Sequence, residues 1–392
     1  MHRQLPSPTH PMSLPCFGRR LSERGSYTPL NSYPNQHHLL PGGRRQKWTS
    51  RPSKLALATI GAACAVLALV VIGKGVILRI TERRYNSLDN YQNLNSMPVT
   101  VSDVHGAPHT LVNQRAVVSS LYSDGFAIAV AVLGHSVRAA NVSARLVLPY
   151  LEDKVSAKAL CMARAVGWEP LPVSRIPPPH DGKDIYWRFA DQYTKLSIWK
   201  LDQLGVESAV YLDADTLVRA NFDELFDCPF NFAAVPDIYG GRRGFSVEFN
   251  AGVLALRTSS AVYENMRQKL ATADYPLGEA EQAFLNLYFG GTAMRLPYIY
   301  NANLALKKRS PVLWQRLARE MRVVHYTAVK PFLNDPSDPA GVVLSPEDIE
   351  VAMEIGERHE DGVFREEIGW WRTAYQKMLL DRGHVISQCD SS

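Results

Sequence analysis

Nineteen consecutive residues without a charge, Leu55 to Gly73 (LALATIGAACAVLALVVIG), constrain this chain more than any other feature. As an α-helix the run extends about 28 Å at ~1.5 Å per residue, close to the roughly 30 Å of a bilayer's hydrocarbon core. It is apolar all round, whereas a helix docked on a soluble core is normally amphipathic. It also lies too far from the start to resemble a cleaved signal peptide. A single membrane span is the reading that fits. Residues 1–54 carry nine Lys or Arg against one acid, Glu23, and those nine outnumber Lys74, Arg79, Arg83 and Arg84 just after the run. The positive-inside rule then keeps the N-terminus cytoplasmic and sends the remainder to a lumen. The expected organisation is a disordered basic cytoplasmic tail (1–54), a transmembrane helix (55–73), a polar stem (74–113) and one folded domain (114–392).

That last segment is long enough for a full hydrophobic core. Outside the tail the charge is near balance, so there is no basic footprint for nucleic acid. The five cysteines, Cys16, Cys64, Cys161, Cys228 and Cys389, have no metal-site spacing and do not make a disulfide scaffold. From Arg115 onward, apolar strand patterns alternate with helical ones. RAVVSSL (115–121), ARLVLP (144–149), ESAVYLDAD (207–215), FNAGVLALR (249–257) and RVVHYT (322–327) read as strands. Segments 124–139 and 153–166 read as helices, the first with Phe126, Val130, Leu133 and Val137 on one face. The alternation predicts an α/β fold with a largely parallel sheet. Near the end, Phe364, Ile368, Trp371, Tyr375 and Met378 share a helix face, which predicts docking on the core; Trp370 and Trp371 offer a second reading as an acceptor platform.

The chemistry concentrates in YLDADTLVRANFDELFD (211–227). An apolar strand delivers Asp213 and Asp215 at its C-terminal end, the edge of a parallel sheet where ligands bind. Two carboxylates one residue apart can share one divalent cation, and hard oxygen ligands suit manganese or magnesium. Such a cation neutralises a diphosphate and helps it leave. The triplet is weak evidence alone; its place at the end of an apolar strand gives it weight.

In this context residues 115–330 resemble glycosyltransferase family 8, the glycogenin-like retaining transferases, in seven segments that keep the family's order. The Asp-x-Asp strand is one. YTKLSIWKL (193–201) is similar to the helix before it, with Lys195 at the donor-binding lysine. AVPD (234–237) places Asp237 at a sugar-contacting aspartate. FNAGVLAL (249–256) places Asn250 at a donor-contacting asparagine. EAEQAFLN (279–286), RLPYIYN (295–301) and HYTAVKPF (325–332) complete the series. The resemblance implies the GT-A nucleotide-sugar fold, Rossmann-like, as a single catalytic domain. It implies a UDP-sugar donor and retention of configuration. It implies metal ligation by Asp213, Asp215 and His325 and donor contacts from Lys195, Asp213, Asp237 and Asn250. Lys330 would stabilise the departing diphosphate. Glu281 and Gln282 would lie on the sugar face; they form no obvious nucleophile–base pair, which favours front-face displacement.

Several residues depart from glycogenin. Glu281 stands for an aspartate, Gly278 for an acid, Ala328 for a glycine and Phe332 for a tryptophan. The His325 to Lys330 spacing is one residue shorter than in animal glycogenins, and about five extra residues lie within 238–249. These changes bear on donor identity. Residues 302–324 hold no tyrosine, which argues against a self-glucosylating primer. The expected protein is a type II Golgi membrane enzyme that moves a hexose or N-acetylhexosamine to a glycan or glycoprotein, with a Mn2+ or Mg2+ cofactor. The alternatives are a catalytically silent luminal sugar-binding scaffold, which the complete cation set counts against, and the self-glucosylating glycogenin-like primer. Asn141-Val142-Ser143, the one Asn-x-Ser/Thr sequon, is expected to be exposed after the first helix.

Overall fold

A run of parallel strands forms the centre of the described domain. The strands are β1 (Arg115–Val118), β2 (Arg145–Tyr150), β3 (Glu169–Pro172) and β4 (Ser208–Leu212). All but the partly exposed edge strand β3 are covered on both faces. Along β1, Val117 points into one core and Ala116 and Val118 into the other; along β4, Val210 and Leu212 oppose Ala209 and Tyr211. This period of two is what a strand buried on both sides must show. The first core is closed by helices α1 (Ala127–Ala139) and α2 (Ala157–Ala165). The second is closed by a 3-10 helix (Gln192–Leu204) and later by α3 (Ser260–Leu270) and α4 (Ala280–Phe289). The computed structural model describes residues 110–239, 244–333 and 341–391.

Beyond β4 come β5 (Thr216–Val218), β6 (Phe232–Ile238), β7 (Phe245–Arg257), β8 (Met294–Arg295), β9 (Ala302–Asn303) and β10 (Val323–His325). The main sheet has the order β3-β2-β1-β4-β7-β6-β8. The first four strands are parallel, as expected, but β7 runs antiparallel to both β4 and β6. The expected largely parallel sheet is therefore mixed. Only residues 239–244 separate β6 from β7, too few for the crossover of about a dozen residues that a parallel pairing needs. A second sheet, β5-β10-β9, escaped the sequence reading as a unit because its strands are two or three residues long.

The C-terminal helix Arg365–Ile386 docks as expected: Phe364, Ile368, Trp371, Tyr375 and Met378 are all buried. It continues to Cys389, which forms a disulfide with Cys161 of α2 across 228 residues of sequence. Spacing gave no sign of that bond. Asn141 is exposed in the turn after α1. The tail 1–54, the apolar run 55–73 and most of the stem 74–113 lie outside the described residues, as do 240–243 of the inserted stretch. No described helix is long and apolar enough to cross a membrane.

Candidate active site

The strand order reverses between β1 and β4, and a crevice opens outside the C-terminal ends of strands at such a point. Asp213, Ala214 and Asp215 lie in that position, in the three residues that carry the chain from β4 into β5. The step between sheets is a tight turn in which the Thr216 amide and hydroxyl both donate to the Asp213 carbonyl, at 3.0 and 2.7 Å. Antiparallel pairing of β10 with β5 sets His325 opposite Thr216, one residue from Asp215. His325 Nε2 lies 3.1 Å from Asp215 Oδ1 and 3.8 Å from Asp213 Oδ2. One ligand atom from each of Asp213, Asp215 and His325 falls within 4.8 Å of the others, a spacing that fits one bound cation.

The imidazole's orientation follows from hydrogen bonds that start at a backbone amide. The Gly252 N–H can only donate, and it donates to Asn250 Oδ1 at 3.0 Å. Asn301 Nδ2 donates to the same oxygen at 2.9 Å, which turns Asn301 Oδ1 toward His325 Nδ1 at 3.1 Å. His325 Nδ1 therefore donates to Asn301 Oδ1, which turns Nε2 toward the carboxylates of Asp215 and Asp213. Gly252 is required for this packing: a Cβ there would come within 2.2 Å of His325 Cε1 and 2.8 Å of Asn250 Oδ1. Asn301 was missed as a site residue, although it is the final Asn of the RLPYIYN segment.

Lys195 lies behind Asp213 and is 2% exposed. Its ammonium bonds Glu281 Oε1 at 2.7 Å and the Ala251 carbonyl at 3.2 Å, and sits 3.1 Å from Asp213 Oδ1. Burial alone would depress its pKa, but Asp213 and Glu281 outweigh burial and raise it, so the amine stays charged. Tyr211 donates to Asp213 Oδ1 at 2.7 Å. With that oxygen held by Lys195 and Tyr211, Oδ2 is left for the cation. The ammonium of Lys195 is thus directed at three partners within the protein. Glu281 differs from expectation: it is buried against Lys195 and not on an open sugar face.

Lys330 joins the cluster from the segment after β10. Its ammonium pairs with Asp215 Oδ2 and donates to the Tyr326 carbonyl at 2.8 Å. Burial would raise the Asp215 pKa, but Lys330 and His325 together hold it well below the usual carboxylate range. Asp237, Asn250 and Gln282 form a second group. Asn250 Nδ2 donates to Asp237 Oδ1 at 3.2 Å and Gln282 Nε2 to Oδ2 at 3.0 Å, while Gln282 Oε1 accepts from the Ala251 amide at 2.9 Å. Burial raises the Asp237 pKa despite the Ile238 amide, Gln282 and Asn250. The structure thus brings every expected site residue into one connected set. The Trp370–Trp371 platform does not hold: Trp371 is 1% exposed and packs on Phe332 and Tyr375, and Trp370 stacks on Trp314 under Arg219.

A family model described as glycosyl transferase family 8 matches residues 117–335. Inositol phosphorylceramide glucuronosyltransferase 1 of Arabidopsis thaliana is 30% identical over 234 residues, 54% of this chain and 41% of that protein. Glycogenin of Neurospora crassa is 26% identical over 248 residues, 62% of this chain and 35% of that one. The chain therefore spans less than half the length of these two curated relatives. The solved complex of the galactosyltransferase LgtC with donor and acceptor sugar analogues aligns at 19% identity with a TM-score of 0.40, over 64% of this chain and 99% of that one.

Proposed function

The chain belongs to glycosyl transferase family 8, and on that premise we propose that it moves a hexose or N-acetylhexosamine from a UDP-sugar to a glycan or glycoprotein, with retention of configuration. One observation carries the reading: Asp213, Asp215 and His325 converge at the strand-order reversal, with Lys330 on Asp215. Asp213, Asp215 and His325 would hold Mn2+ or Mg2+, which supplies charge neutralisation for the diphosphate leaving group. The fit rests on two carboxylates and an imidazole whose Nε2 faces both of them. Lys330 leaves Asp215 and contributes positive charge as the diphosphate departs. Asn250, Asp237 and Gln282 orient the sugar as one hydrogen-bonded unit. Lys195 and Glu281 act from behind by fixing Asp213.

Both oxygens of Asp237 accept hydrogen bonds from within the protein, and Glu281 is paired with Lys195. Neither is a free carboxylate nucleophile, which supports front-face displacement. The reading extends to topology. Residues 1–54 form a cytoplasmic tail, 55–73 the span, 74–113 the stem and 114–392 a luminal catalytic domain in the Golgi. The Cys161–Cys389 disulfide supports an oxidising lumen.

The test is incubation of the full chain with Mn2+ and a panel of UDP-hexoses and UDP-N-acetylhexosamines. UDP release from at least one donor, and an α-linked product by NMR with a suitable acceptor, are expected. A folded protein that releases UDP from no donor overturns the assignment, and a β-linked product overturns retention. Protease treatment of sealed microsomes should spare the catalytic domain and remove the basic tail. Digestion of the catalytic domain would reverse the topology.

A further inference from the structure

Among the described residues, six buried side-chain polar atoms have no hydrogen-bond partner, and two of them belong to one charged group: Nε and Nη2 of Arg188. Arg188 is half-buried, but these two nitrogens are shut from water without a partner, which is costly, and native structures leave few such groups. The nearest acid along the sequence does not relieve it, because Asp191 is held by Arg175 at 2.6 Å and by Lys154 at 2.5 Å. Nε and Nη2 lie on one edge of the guanidinium, the fork that matches two oxygens of a phosphate or carboxylate.

The chain that carries this fork leaves the sheet on the side of the candidate site. Arg188 belongs to the segment that follows β3, which leaves the sheet on the same side as Asp213 because β3, β2, β1 and β4 are parallel. The segment is pinned at both ends: the Ile176 amide donates to Thr194 Oγ1 at 3.1 Å, and Asp191 ties it to Lys154 in the loop after β2. One residue past Thr194, Lys195 reaches Asp213. The guanidinium stacks on Tyr186 and Trp187, at 5.9 and 5.6 Å from the ring centroids. Tyr186, Trp187 and Phe189 are 47, 57 and 40% exposed, open flat faces of the kind that sugar rings pack against.

We infer that Arg188 is a substrate-binding residue whose free edge takes a two-oxygen anion, a phosphate or a carboxylate, carried by the substrate. The inference rests on the reading of this edge as a sugar-transfer site. Two sources supply that chemistry, the diphosphate of the donor and an acidic sugar.

Equilibrium binding to the full chain, followed by tryptophan fluorescence, tests this with three probes: Mn2+ with UDP, methyl β-glucuronide, and neutral methyl β-glucoside. Arg188→Met should weaken one anionic probe by roughly ten-fold or more, the usual consequence of losing a charged two-point hydrogen bond. Methyl glucoside binding should not change. Loss with UDP assigns the diphosphate, and loss with the glucuronide assigns a sugar carboxylate. The melting temperature should hold or rise, because an unpaired charge has been removed; a structural strut would melt lower. Unchanged binding of both anionic probes overturns the inference while the transfer reading stands. Equal weakening of all three probes with a lower melting temperature also overturns it. Wild-type protein that binds none of the probes overturns both.

Discussion

Gly252→Ala is the perturbation whose consequence follows most directly from the coordinates. The added Cβ would lie 2.2 Å from His325 Cε1 and 2.5 Å from Nδ1, and 2.8 Å from Asn250 Oδ1. Carbon atoms prefer about 3.5–4.0 Å, so the ring must retreat by more than about 1 Å. That retreat breaks the 3.1 Å contacts from His325 to Asp215 and Asn301. Gly252 lies within β7, so the effect is one of space and not of backbone conformation. Forcing one extra methyl into a packed site costs roughly 1–3 kcal/mol. At about 2–4 °C per kcal/mol for a domain of this class, the melting temperature should fall by roughly 2–12 °C. Displacing a cation ligand should weaken Mn2+ binding by at least about 10–100-fold, the range seen when even a ligand's supporting partner is lost. Differential scanning fluorimetry reads the first effect, and paramagnetic resonance of free Mn2+ reads the second. A variant with wild-type melting and wild-type Mn2+ affinity would refute the placement of His325 against Gly252.

Three further outcomes follow from the same geometry. Asn301→Leu removes the acceptor that fixes the His325 tautomer, and should weaken Mn2+ affinity by roughly 10–100-fold; unchanged affinity would show that the imidazole is held by other means. Lys195→Met leaves Asp213 and Glu281 facing each other without a cation, and breaking a buried pair costs about 3–5 kcal/mol. The urea midpoint should fall accordingly, and adding Glu281→Gln should recover part of the loss; a wild-type midpoint for Lys195→Met would remove its supporting role. Lys330→Ala should lower kcat more than it raises donor KM, because its charge acts as the diphosphate departs. A higher KM at constant kcat would assign the lysine to ground-state binding.

The strands that the sequence revealed are those long enough to show a pattern. Ala209–Leu212 is an unbroken apolar run within β4, and the C-terminal helix repeats its apolar residues at three and four positions. The direction of β7 was hidden because apolar content does not encode orientation; it is set by the short 239–244 connection to β6. β5 and β9 are too short for periodicity, and β10 showed only as the strand RVVHYT without its partners, yet their register is what places His325 beside Asp215 and Asn303. The motif residues of the site were legible one by one. What tied them together was not, because Asn301 acts only through a chain of amide groups and Cys161 meets Cys389 only after the chain has folded back across 228 residues. Arg188 and its exposed rings lie in a stretch with no family motif, and only the unpartnered nitrogens draw attention to it.

The central claim is a single cation site that serves sugar transfer. It is tested most directly by titrating Mn2+ into wild-type protein and into Asp215→Asn while following both Mn2+ binding and UDP release from the donor the enzyme accepts. Asp215 supplies one oxygen to the cluster and another to Lys330, and an amide there loses the charge while keeping the shape. Wild-type protein should bind one Mn2+ per chain, lose UDP release in EDTA and regain it on Mn2+ addition. The variant should stay folded, bind Mn2+ at least about ten-fold more weakly and release little UDP. UDP release that persists in EDTA, or a folded Asp215→Asn protein with wild-type binding and turnover, would contradict the account.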